Sequence, residues 1–274
     1  MKFALTGYPL GHSMSPFIHN ELFRLAGVEA EYEKLELPPE KLNREAFSGL
    51  SGFNVTIPHK IAVIPLLDEV QGIAAKMKTV NTVKNDNGKL IGYNTDYDGM
   101  LYSLGRSGIE LSGNVLLCGC GGVARMMAHA ALQHGCRLTV CAVDEKMAAD
   151  FKQSFDLEYG IDLKVIGHDA DTNENYDLLI NGTPAGMYPK LIGQLPANKK
   201  LVESASAVLD AVYNPRETAL TKLASANGAK VAYGMPMLVY QAARAQTIWY
   251  GAQFSDDDLD RLTEMTDRKM REEF

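Results

Sequence analysis

A lysine and an aspartate that could share in a proton transfer each follow a short apolar run. Lys60 closes the stretch Gly-Phe-Asn-Val-Thr-Ile-Pro-His-Lys at 52–60, and Asp96 lies in Gly-Tyr-Asn-Thr-Asp at 92–96. Between them, Val-Asn-Thr at 80–82 adds a further amide. At strand ends, an ammonium, a carboxylate, amides and a hydroxyl would form a polar cup for a small, hydroxyl-rich molecule and one proton transfer. Taken alone, the same pair is more typical of a surface salt bridge, which contributes little to stability.

Alternating strands and helices are predicted to position these side chains. In the first part of the chain, apolar runs separated by stretches of helical spacing predict strands at 3–5, 32–37, 53–56, 80–84 and 89–94. Asn-Asp-Asn-Gly at 85–88 indicates a hairpin between the last two. Ser15 followed by Pro16 indicates a helix N-cap and a first helical residue, and 39–47 also has helical spacing. This alternation predicts an α/β fold with a mainly parallel sheet.

A glycine-rich loop opens the second half of the chain. The continuous apolar run at 114–118 is followed at once by Gly-Cys-Gly-Gly-Val-Ala-Arg at 119–125 and then by an alanine-rich helical stretch. The loop departs from the common G-x-G-x-x-G pattern. Its glycines would still permit a tight turn and let a phosphate approach a helix N-terminus. We therefore predict a dinucleotide site here; a tight turn without a ligand is the alternative.

The residue after the next predicted strand bears on which dinucleotide binds. Asp144 follows that strand, 137–142, and could accept hydrogen bonds from an adenosine ribose or could simply cap the next helix. No arginine or lysine occupies 141–143, so a 2′-phosphate would meet the carboxylate without a compensating cation, which favours NAD over NADP. Arg125 and Lys146 are counter-evidence, because either side chain could turn toward a 2′-phosphate.

Composition and charge argue against several classes of protein. The net charge of −7 argues against nucleic acid as a partner, because phosphate binding requires a basic face. No apolar run approaches the roughly 20 residues that span a bilayer, and the first residues contain too short an apolar run for a secretory signal. A cytoplasmic protein without membrane contact is expected. Neither the cysteines nor three histidines that could suggest a metal site have the spacing of metal ligands, so no metal is expected. These residues are Cys118, Cys120, Cys136, Cys141, His12, His19 and His59.

Eight separated motifs together resemble the shikimate dehydrogenases and their quinate/shikimate relatives. They are Gly-His-Ser-Met-Ser-Pro at 11–16, Asn-Val-Thr-Ile-Pro-His-Lys at 54–60, Val-Asn-Thr at 80–82, Asn-Thr-Asp at 94–96, Gly-Cys-Gly-Gly at 119–122, Asn-Gly-Thr-Pro-Ala-Gly-Met at 181–187, Asp-Ala-Val-Tyr-Asn-Pro at 210–215 and Gly-Met-Pro-Met-Leu-Val-Tyr-Gln at 234–241. The resemblance implies an N-terminal α/β substrate domain with a mostly parallel sheet, from 1–106 and 237–274. It also implies a Rossmann-like dinucleotide domain, 107–236, after which the C-terminal helices return to the first domain.

The resemblance further implies an activity, the reversible NAD(P)-dependent reduction of 3-dehydroshikimate to shikimate. Lys60 would donate the proton, and Asp96 would orient Lys60 and share its proton. The residues implied to bind the substrate are Ser13, Ser15, Thr56, Asn81, Tyr213 and Gln241. The residues implied to bind the cofactor are Gly119, Cys120, Gly121, Gly122, Val123, Asp144, Thr183, Ala211 and Gly234.

Two departures from the family pattern concern the cofactor loop and its neighbour. The family's usual NADP signature, asparagine-arginine-threonine, is missing, and Ala-Val-Asp at 142–144 stands near that place. The cofactor is therefore NAD or NADP, with NAD favoured. Cys120 stands where the family usually has an alanine. Ser15 is retained at the position where a threonine accompanies quinate use in the family, which favours shikimate as the substrate. An NAD-dependent quinate/shikimate dehydrogenase and a catalytically silent dinucleotide-binding sensor are the alternatives, and a homodimer stays open.

Overall fold

The chain folds into two compact α/β units. The computed structural model describes residues 1–11 and 13–273. One unit comprises Met1–Gly99 and Leu238–Phe274, and the other comprises Met100–Met237. Each unit is built around one six-stranded sheet.

Strands and helices alternate along most of the chain. The strands are β1 (Lys2–Gly7), β2 (Glu31–Glu36), β3 (Gly52–Val55), β4 (Glu69–Val70), β5 (Thr82–Asp86), β6 (Lys89–Tyr93), β7 (Asn114–Cys118), β8 (Arg137–Ala142), β9 (Lys164–Gly167), β10 (Leu178–Asn181), β11 (Ala207–Asp210) and β12 (Lys230–Ala232). The α-helices are α1 (Ser15–Ala26), α2 (His59–Ala62), α3 (Ile73–Met77), α4 (Thr95–Arg106), α5 (Gly122–Gln133), α6 (Glu145–Tyr159), α7 (Lys199–Glu203), α8 (Ala219–Ala226), α9 (Gly234–Tyr250) and α10 (Asp256–Glu273). Within the described ranges, no helix combines the length and apolar character needed to cross a bilayer.

The first unit contains a mixed sheet with the strand order β2-β1-β3-β5-β6-β4. Strand β5 runs antiparallel to β3 and to β6. The pairs β1–β2, β1–β3 and β4–β6 are parallel. The mainly parallel sheet predicted for the N-terminal half is therefore confirmed, with one reversed strand.

A tight hairpin turn joins β5 to β6 and makes these two strands antiparallel. Asn87 and Gly88 have φ values of 53° and 93°, the left-handed conformation that Asn-Gly hairpin turns require. The Asn85 Oδ1 accepts a hydrogen bond from Gly88 N at 2.8 Å. Because β5 is reversed, its first residue lies at the same edge of the sheet as the last residues of β1, β3 and β6. We call this edge the polar edge.

The stretch 39–47 does not form the single helix that its spacing predicts. It forms two 3-10 turns, Pro39–Lys41 and Glu45–Phe47. Leu42 between them is extended, and the Asn43 side chain starts the second turn by accepting from Ala46 N at 3.0 Å. Asparagine competes in this way with continued helix, because its side chain satisfies the backbone locally.

Helix α1 begins one residue earlier than the Ser-Pro pattern predicts. Ser15 is already helical, and Met14 occupies the N-cap without a side-chain hydrogen bond. The Ser13 Oγ accepts from Ser15 N at 3.3 Å, so a serine two residues upstream satisfies one of the unpaired amides of the first turn. Gly27 then ends the helix at φ 65°.

Aromatic side chains fill one face of the first sheet. The Phe3 ring stacks on Trp249 of α9 at a centroid distance of 4.4 Å, and the Trp249 indole N–H donates to Val83 O at 2.9 Å. A Cβ at Gly52 would lie 2.5 Å from Trp249 Nε1. Only glycine therefore leaves room at the start of β3 for the indole, which secures α9 against this sheet.

The second unit is a doubly wound, fully parallel sheet. Its strand order is β12-β11-β10-β7-β8-β9, and every neighbouring pair is parallel. Numbered from the start of the unit, this is the 3-2-1-4-5-6 order of dinucleotide-binding folds, in which the strand order reverses between β7 and β10. The predicted Rossmann-like fold is confirmed. The central residues of β7, Val115, Leu116 and Leu117, are fully buried, as expected of a strand covered on both faces.

His19 of α1 lies in the aromatic face of the first sheet and stays neutral there. Its ring stacks on Tyr32 at 4.1 Å. Burial lowers the pKa of His19 from 6.5 to about 3, and a hydrogen bond with Asn54 offsets only part of that effect. Between these two values the unfolded chain holds a proton on His19 that the folded chain does not. The free energy of unfolding should therefore fall as the pH drops below about 6.5, by about 1.4 kcal/mol per pH unit from this group.

The variant His19→Gln tests this contribution, because glutamine cannot take up the proton. Urea unfolding of the wild type should show a larger loss of stability from pH 7 to pH 5 than that of the variant, by about 2 kcal/mol. The absolute stability of the variant does not matter for the comparison. Identical pH slopes for the two proteins would contradict the buried, neutral histidine.

Candidate functional site

Lys60 and Asp96 meet at the polar edge although 36 positions separate them in the sequence. Lys60 lies on α2, which follows β3, and Asp96 lies in the first turn of α4, which follows β6. The Lys60 ammonium donates to Asp96 Oδ2 at 2.6 Å, and the two side chains are 18% and 9% exposed. The surface pair Lys89–Glu69 in the same unit is 52% and 38% exposed. The Lys60–Asp96 pair is therefore distinguished from a solvated salt bridge by its burial.

Backbone hydrogen bonds brace the turns that carry this pair. Val80 N donates to Lys60 O at 2.8 Å, and Asn81 N donates to Tyr93 O at 3.0 Å. Thr95 N in turn donates to Asn81 Oδ1 at 2.7 Å. The segment before β5 thus holds the lysine from one side and the start of α4 from the other.

Asn81 brings Gln241 of α9 to the same group of residues. The Asn81 Nδ2 donates to Gln241 Oε1 at 3.2 Å and to Thr95 Oγ1 at 3.1 Å. Asn81 is buried, whereas Gln241 is half-buried. Four residues predicted for the site, Lys60, Asp96, Asn81 and Gln241, are thereby joined through direct contacts and through Thr95.

The predicted serines and Thr56 lie on segments that leave the first sheet near the same edge. Ser13 and Ser15, both half-buried, lie at the start of α1. Thr56 directly follows β3, and its N–H donates to Thr6 O at 2.8 Å. A Cβ on Gly7 would lie 2.4 Å from Thr56 Cγ2, so glycine is required where β1 ends. His12 of the serine motif lies outside the described residues.

Tyr213 belongs to the other unit, three residues beyond the end of β11. It is half-buried, and burial raises the pKa of its hydroxyl. The hydroxyl therefore stays protonated at neutral pH and can donate a hydrogen bond.

The glycine loop after β7 has the backbone geometry that a phosphate site needs. Gly119 has a φ of 105°, and a Cβ there would lie 2.7 Å from Thr183 Cγ2. Thr183 follows β10, so these two residues flank the point at which the strand order reverses, where ligands bind in such sheets. The Thr183 hydroxyl donates to Asn181 Oδ1 at 2.7 Å, which holds the loop after β10 in place.

The start of α5 fits a dinucleotide pyrophosphate. The N-cap residue of this helix is Gly121, so no side chain caps its first N–H groups. A Cβ on Gly121 or Gly122 would meet no atom within 4 Å, so the space above the helix N-terminus is open. Val123 occupies the same first turn. A twelve-residue helix presents unpaired N–H groups and a positive dipole end there, which suits an anion.

Cys120 in this loop is half-buried, and the other cysteines are buried. Burial raises the pKa of the Cys120 thiol, an effect that the nearby Arg125 charge partly opposes. The thiol is therefore protonated at neutral pH. Among the described residues, no group of three or more histidine, cysteine, aspartate or glutamate side chains could hold a metal ion.

Asp144 caps helix α6. Its Oδ1 accepts from Met147 N at 2.8 Å, so the helix-cap alternative accounts for one carboxylate oxygen and leaves the other for a ligand. Arg125 is engaged elsewhere, because its guanidinium donates to Ser154 Oγ at 2.9 Å and lies over the Phe151 ring at 5.2 Å. Neither the helix cap made by Asp144 nor the contacts made by Arg125 place a cation beside the Asp144 carboxylate.

Ala211 and Gly234 lie together at the same end of the sheet. A Cβ on Gly234 would lie 2.7 Å from Ala211 O and 2.8 Å from Val212 O. Only glycine at the start of α9 allows this approach to the segment after β11. The predicted cofactor residues of the second unit thus follow the carboxyl ends of β7, β8, β10, β11 and β12.

Two buried residues that support the loops of the second unit, Asp210 and Asn181, were missed as individual residues, although both lie in quoted motifs. Asp210 is fully buried and accepts from Asn181 Nδ2 at 2.9 Å, from Val212 N at 3.0 Å and from Thr218 Oγ1 at 2.6 Å. Burial raises its pKa, and these hydrogen bonds oppose the shift. The only available signal was a polar residue at the end of an otherwise apolar strand.

Comparisons with known proteins agree with this architecture. Residues 5–83 match the family model described as the shikimate dehydrogenase substrate binding domain. A relative from Methanocaldococcus jannaschii, named shikimate dehydrogenase (NADP(+)), is 35% identical over 257 residues, which cover 91% of each chain.

Solved structures show the same fold over nearly the whole chain. Shikimate 5-dehydrogenase from Thermus thermophilus, in complex with NADP(H) and shikimate, has a TM-score of 0.83 at 31% identity, covering 97% of this chain and 99% of that one. Quinate dehydrogenase from Corynebacterium glutamicum, in complex with NAD, has a TM-score of 0.81 at 29% identity, covering 96% and 97%.

The comparisons do not support the preference for NAD predicted from Asp144 and the missing arginine. The Methanocaldococcus relative is named for NADP(+), and the Thermus structure contains NADP(H). The structure bears out the helix-cap alternative for Asp144, whose Oδ1 accepts from Met147 N, and this weakens the argument for NAD that was based on the same carboxylate. With identities above 30% over more than nine-tenths of the chain, the chain belongs to the shikimate dehydrogenase family.

Proposed function

We infer that this protein catalyses the reversible NADP-dependent reduction of 3-dehydroshikimate to shikimate. The observation that carries the proposal is the 2.6 Å contact between the Lys60 ammonium and Asp96 Oδ2, largely withdrawn from solvent at the polar edge. A ketone reduction needs one acid beside the reacting oxygen, and a largely shielded ammonium held by a carboxylate can supply it.

The residues around this pair are suited to a small acid with several hydroxyls. Ser13 and Ser15 at the start of α1 would hold the carboxylate, since hydroxyls and helix N-terminal amides favour an anion. Thr56, Asn81 and Gln241 would hydrogen-bond the ring hydroxyls. Tyr213 is a proposed further donor to the carboxylate.

Lys60 is the proposed proton carrier. When bound, the reduced nicotinamide supplies the hydride that the ketone carbon accepts. The Lys60 ammonium donates a proton to the ketone oxygen as negative charge develops on it, and so stabilises that charge. In the oxidative direction, the neutral Lys60 amine takes the hydroxyl proton. Asp96 orients the Lys60 side chain through the hydrogen bond between them and shares the proton of the ammonium group.

The names of the relatives favour NADP as the cofactor. Gly119, Gly121 and Gly122 would hold its pyrophosphate at the N-terminus of α5. Lys146, exposed in the first turn of α6, is the proposed cation for a 2′-phosphate, because Arg125 is bonded to Ser154.

Shikimate oxidation with NADP⁺ is the direct test. We expect turnover of shikimate, followed as absorbance of the reduced nicotinamide, and slower turnover of quinate because Ser15 is retained. Binding of shikimate and dinucleotide with no turnover would instead identify a silent sensor. Turnover of neither acid with either dinucleotide would overturn the proposed function.

The variant Lys60→Met should lower kcat for shikimate oxidation by at least about a hundredfold, the usual size of an acid–base contribution. Shikimate binding, measured by calorimetry, should change little because methionine keeps an unbranched side chain that is only one atom shorter. The matched control is Lys89→Met, which removes a lysine from the exposed Lys89–Glu69 pair and should leave kcat unchanged. Wild-type turnover in Lys60→Met would show that another group carries the proton.

The variant Asp144→Asn should raise the ratio of kcat/KM for NADP⁺ to kcat/KM for NAD⁺. Asparagine caps a helix about as well as aspartate, so α6 should remain intact while the repulsion of a 2′-phosphate is removed. We expect a change of about fivefold, corresponding to about 1 kcal/mol for one exposed charge. The control is Glu203→Gln, which removes a charge at the end of α7, just before β11 begins. An unchanged ratio in Asp144→Asn would mean that this carboxylate does not face the ribose.

A further inference from the structure

Backbone groups fix the orientation of three buried side-chain amides in the first unit. The Gln246 Nε2 donates to His19 O at 3.0 Å, and the Asn54 Nδ2 donates to Asn81 O at 3.2 Å. The Asn81 Oδ1 accepts from Thr95 N at 2.7 Å. A carbonyl oxygen cannot donate and an N–H cannot accept. None of the three amides can therefore be turned over without losing a hydrogen bond to the main chain.

The His19 ring links the first two of these amides and is constrained by both. The Gln246 Nε2 lies 3.1 Å from His19 Nδ1, so Nδ1 accepts and the ring hydrogen must be on Nε2. Burial keeps the ring neutral. A hydrogen bond with the Asn54 side chain partly offsets the effect of burial on the pKa of His19, and the Asn54 Oδ1 accepts from the Tyr32 hydroxyl at 2.8 Å.

Two buried hydroxyls continue the chain from Asn54 to Asn81. Thr82 Oγ1 accepts from Asn54 Nδ2 at 2.9 Å and donates to Asn81 Oδ1 at 3.1 Å. Thr95 Oγ1 accepts from Asn81 Nδ2 at 3.1 Å, which leaves its own hydrogen for Thr82 Oγ1 at 3.0 Å or for Asn81 Oδ1 at 3.3 Å. Thr82 and Thr95 are fully buried. In this arrangement every hydroxyl and amide hydrogen among them has an acceptor.

This chain of hydrogen bonds ends at Gln241, and its direction determines which atom of the Gln241 amide faces Asn81. The second Asn81 Nδ2 hydrogen faces Gln241 at 3.2 Å, so the atom of Gln241 that meets it is the amide oxygen. The Gln241 Nε2 hydrogens then remain for a ligand. Reversing Gln241 would set two amide donors against each other, and Asn81 cannot compensate because Thr95 N holds it.

We propose that Thr82 and Thr95 are positioning residues that hold the Asn81 amide in one orientation, so that Gln241 meets the substrate only as a hydrogen-bond donor. The ligand atom at this point is an oxygen with a free lone pair, either hydroxyl or carbonyl, and an ammonium group in its place would be rejected. The identity of the substrate rests on the proposed function. The polarity of Gln241 rests on the hydrogen bonds alone.

The variant Thr82→Val tests the positioning role, because it keeps the side-chain shape and removes the hydroxyl. Position 82 is chosen because Thr95, unlike Thr82, is next to Asp96 in the sequence. We expect KM for shikimate to rise about three- to tenfold, the size of one lost hydrogen bond, with kcat within about twofold and KM for the dinucleotide unchanged. Thr82→Ser restores the hydroxyl and should restore KM. A KM in Thr82→Val equal to that of the wild type would overturn the positioning role.

A matched control separates positioning from general loss of stability. Thr266 of α10 is also fully buried, and its hydroxyl donates to Leu262 O at 2.7 Å, outside the chain that ends at Gln241. Thr266→Val should lower the melting temperature and leave KM for shikimate unchanged. An equal rise in KM in Thr266→Val would assign the effect to stability and overturn the proposal.

The tautomer of His19 tests the hydrogen-bond directions at the start of this chain without any assay of activity. In ¹⁵N-labelled wild type, long-range ¹⁵N–¹H correlation spectra at pH 7 should show a neutral His19 ring with its hydrogen on Nε2. A hydrogen on Nδ1, or a charged ring, would overturn the hydrogen-bond directions assigned between Gln246, His19 and Asn54, whether or not Thr82→Val folds. If the wild type oxidises no shikimate, the proposed function fails, while this measurement still decides those directions.

Discussion

A lysine ammonium and an aspartate carboxylate 2.6 Å apart, both mostly shielded from water, are the interaction on which the account of this protein depends. Two charges withdrawn from solvent are costly unless each satisfies the other. The fold meets that condition by bringing two strand ends to one edge of a sheet. The reversal of β5 is what allows the residues before it to brace both turns, through Val80 N to Lys60 O and through Thr95 N to Asn81 Oδ1.

Close packing and buried polar side chains also hold the loops of the second unit in place. Gly119 and Thr183 flank the point at which the order of the parallel strands reverses, and close packing there requires the absence of a side chain at Gly119. The buried Asp210 ties the loops after β10 and β11 together through Asn181 and Thr218. In both units, buried polar side chains orient the loops that carry the residues proposed to bind substrate or cofactor.

Much of this arrangement could be predicted from the sequence, because strand ends, glycine turns and family motifs all have local signals. The strand before the glycine loop and the pairing of Lys60 with Asp96 are examples. The hydrogen-bonded chain from His19 to Gln241 could not be predicted, since it joins residues up to 227 positions apart and depends on which amide atom faces which. The division of 39–47 into two turns depended on one asparagine side chain. The preference for NAD rested on Asp144 and on a missing arginine, and the sequence alone could not decide between the two roles of that carboxylate, of which the structure shows the helix cap.

A double-mutant cycle on kcat, with Lys60→Met, Asp96→Asn and the double variant, tests the central claim most directly. If the two side chains act as one proton-transfer unit, removing the second after the first should cost little, so that the double variant is about as slow as Lys60→Met alone. Losses that multiply across the two sites would mean that Lys60 and Asp96 act independently, and would contradict the account.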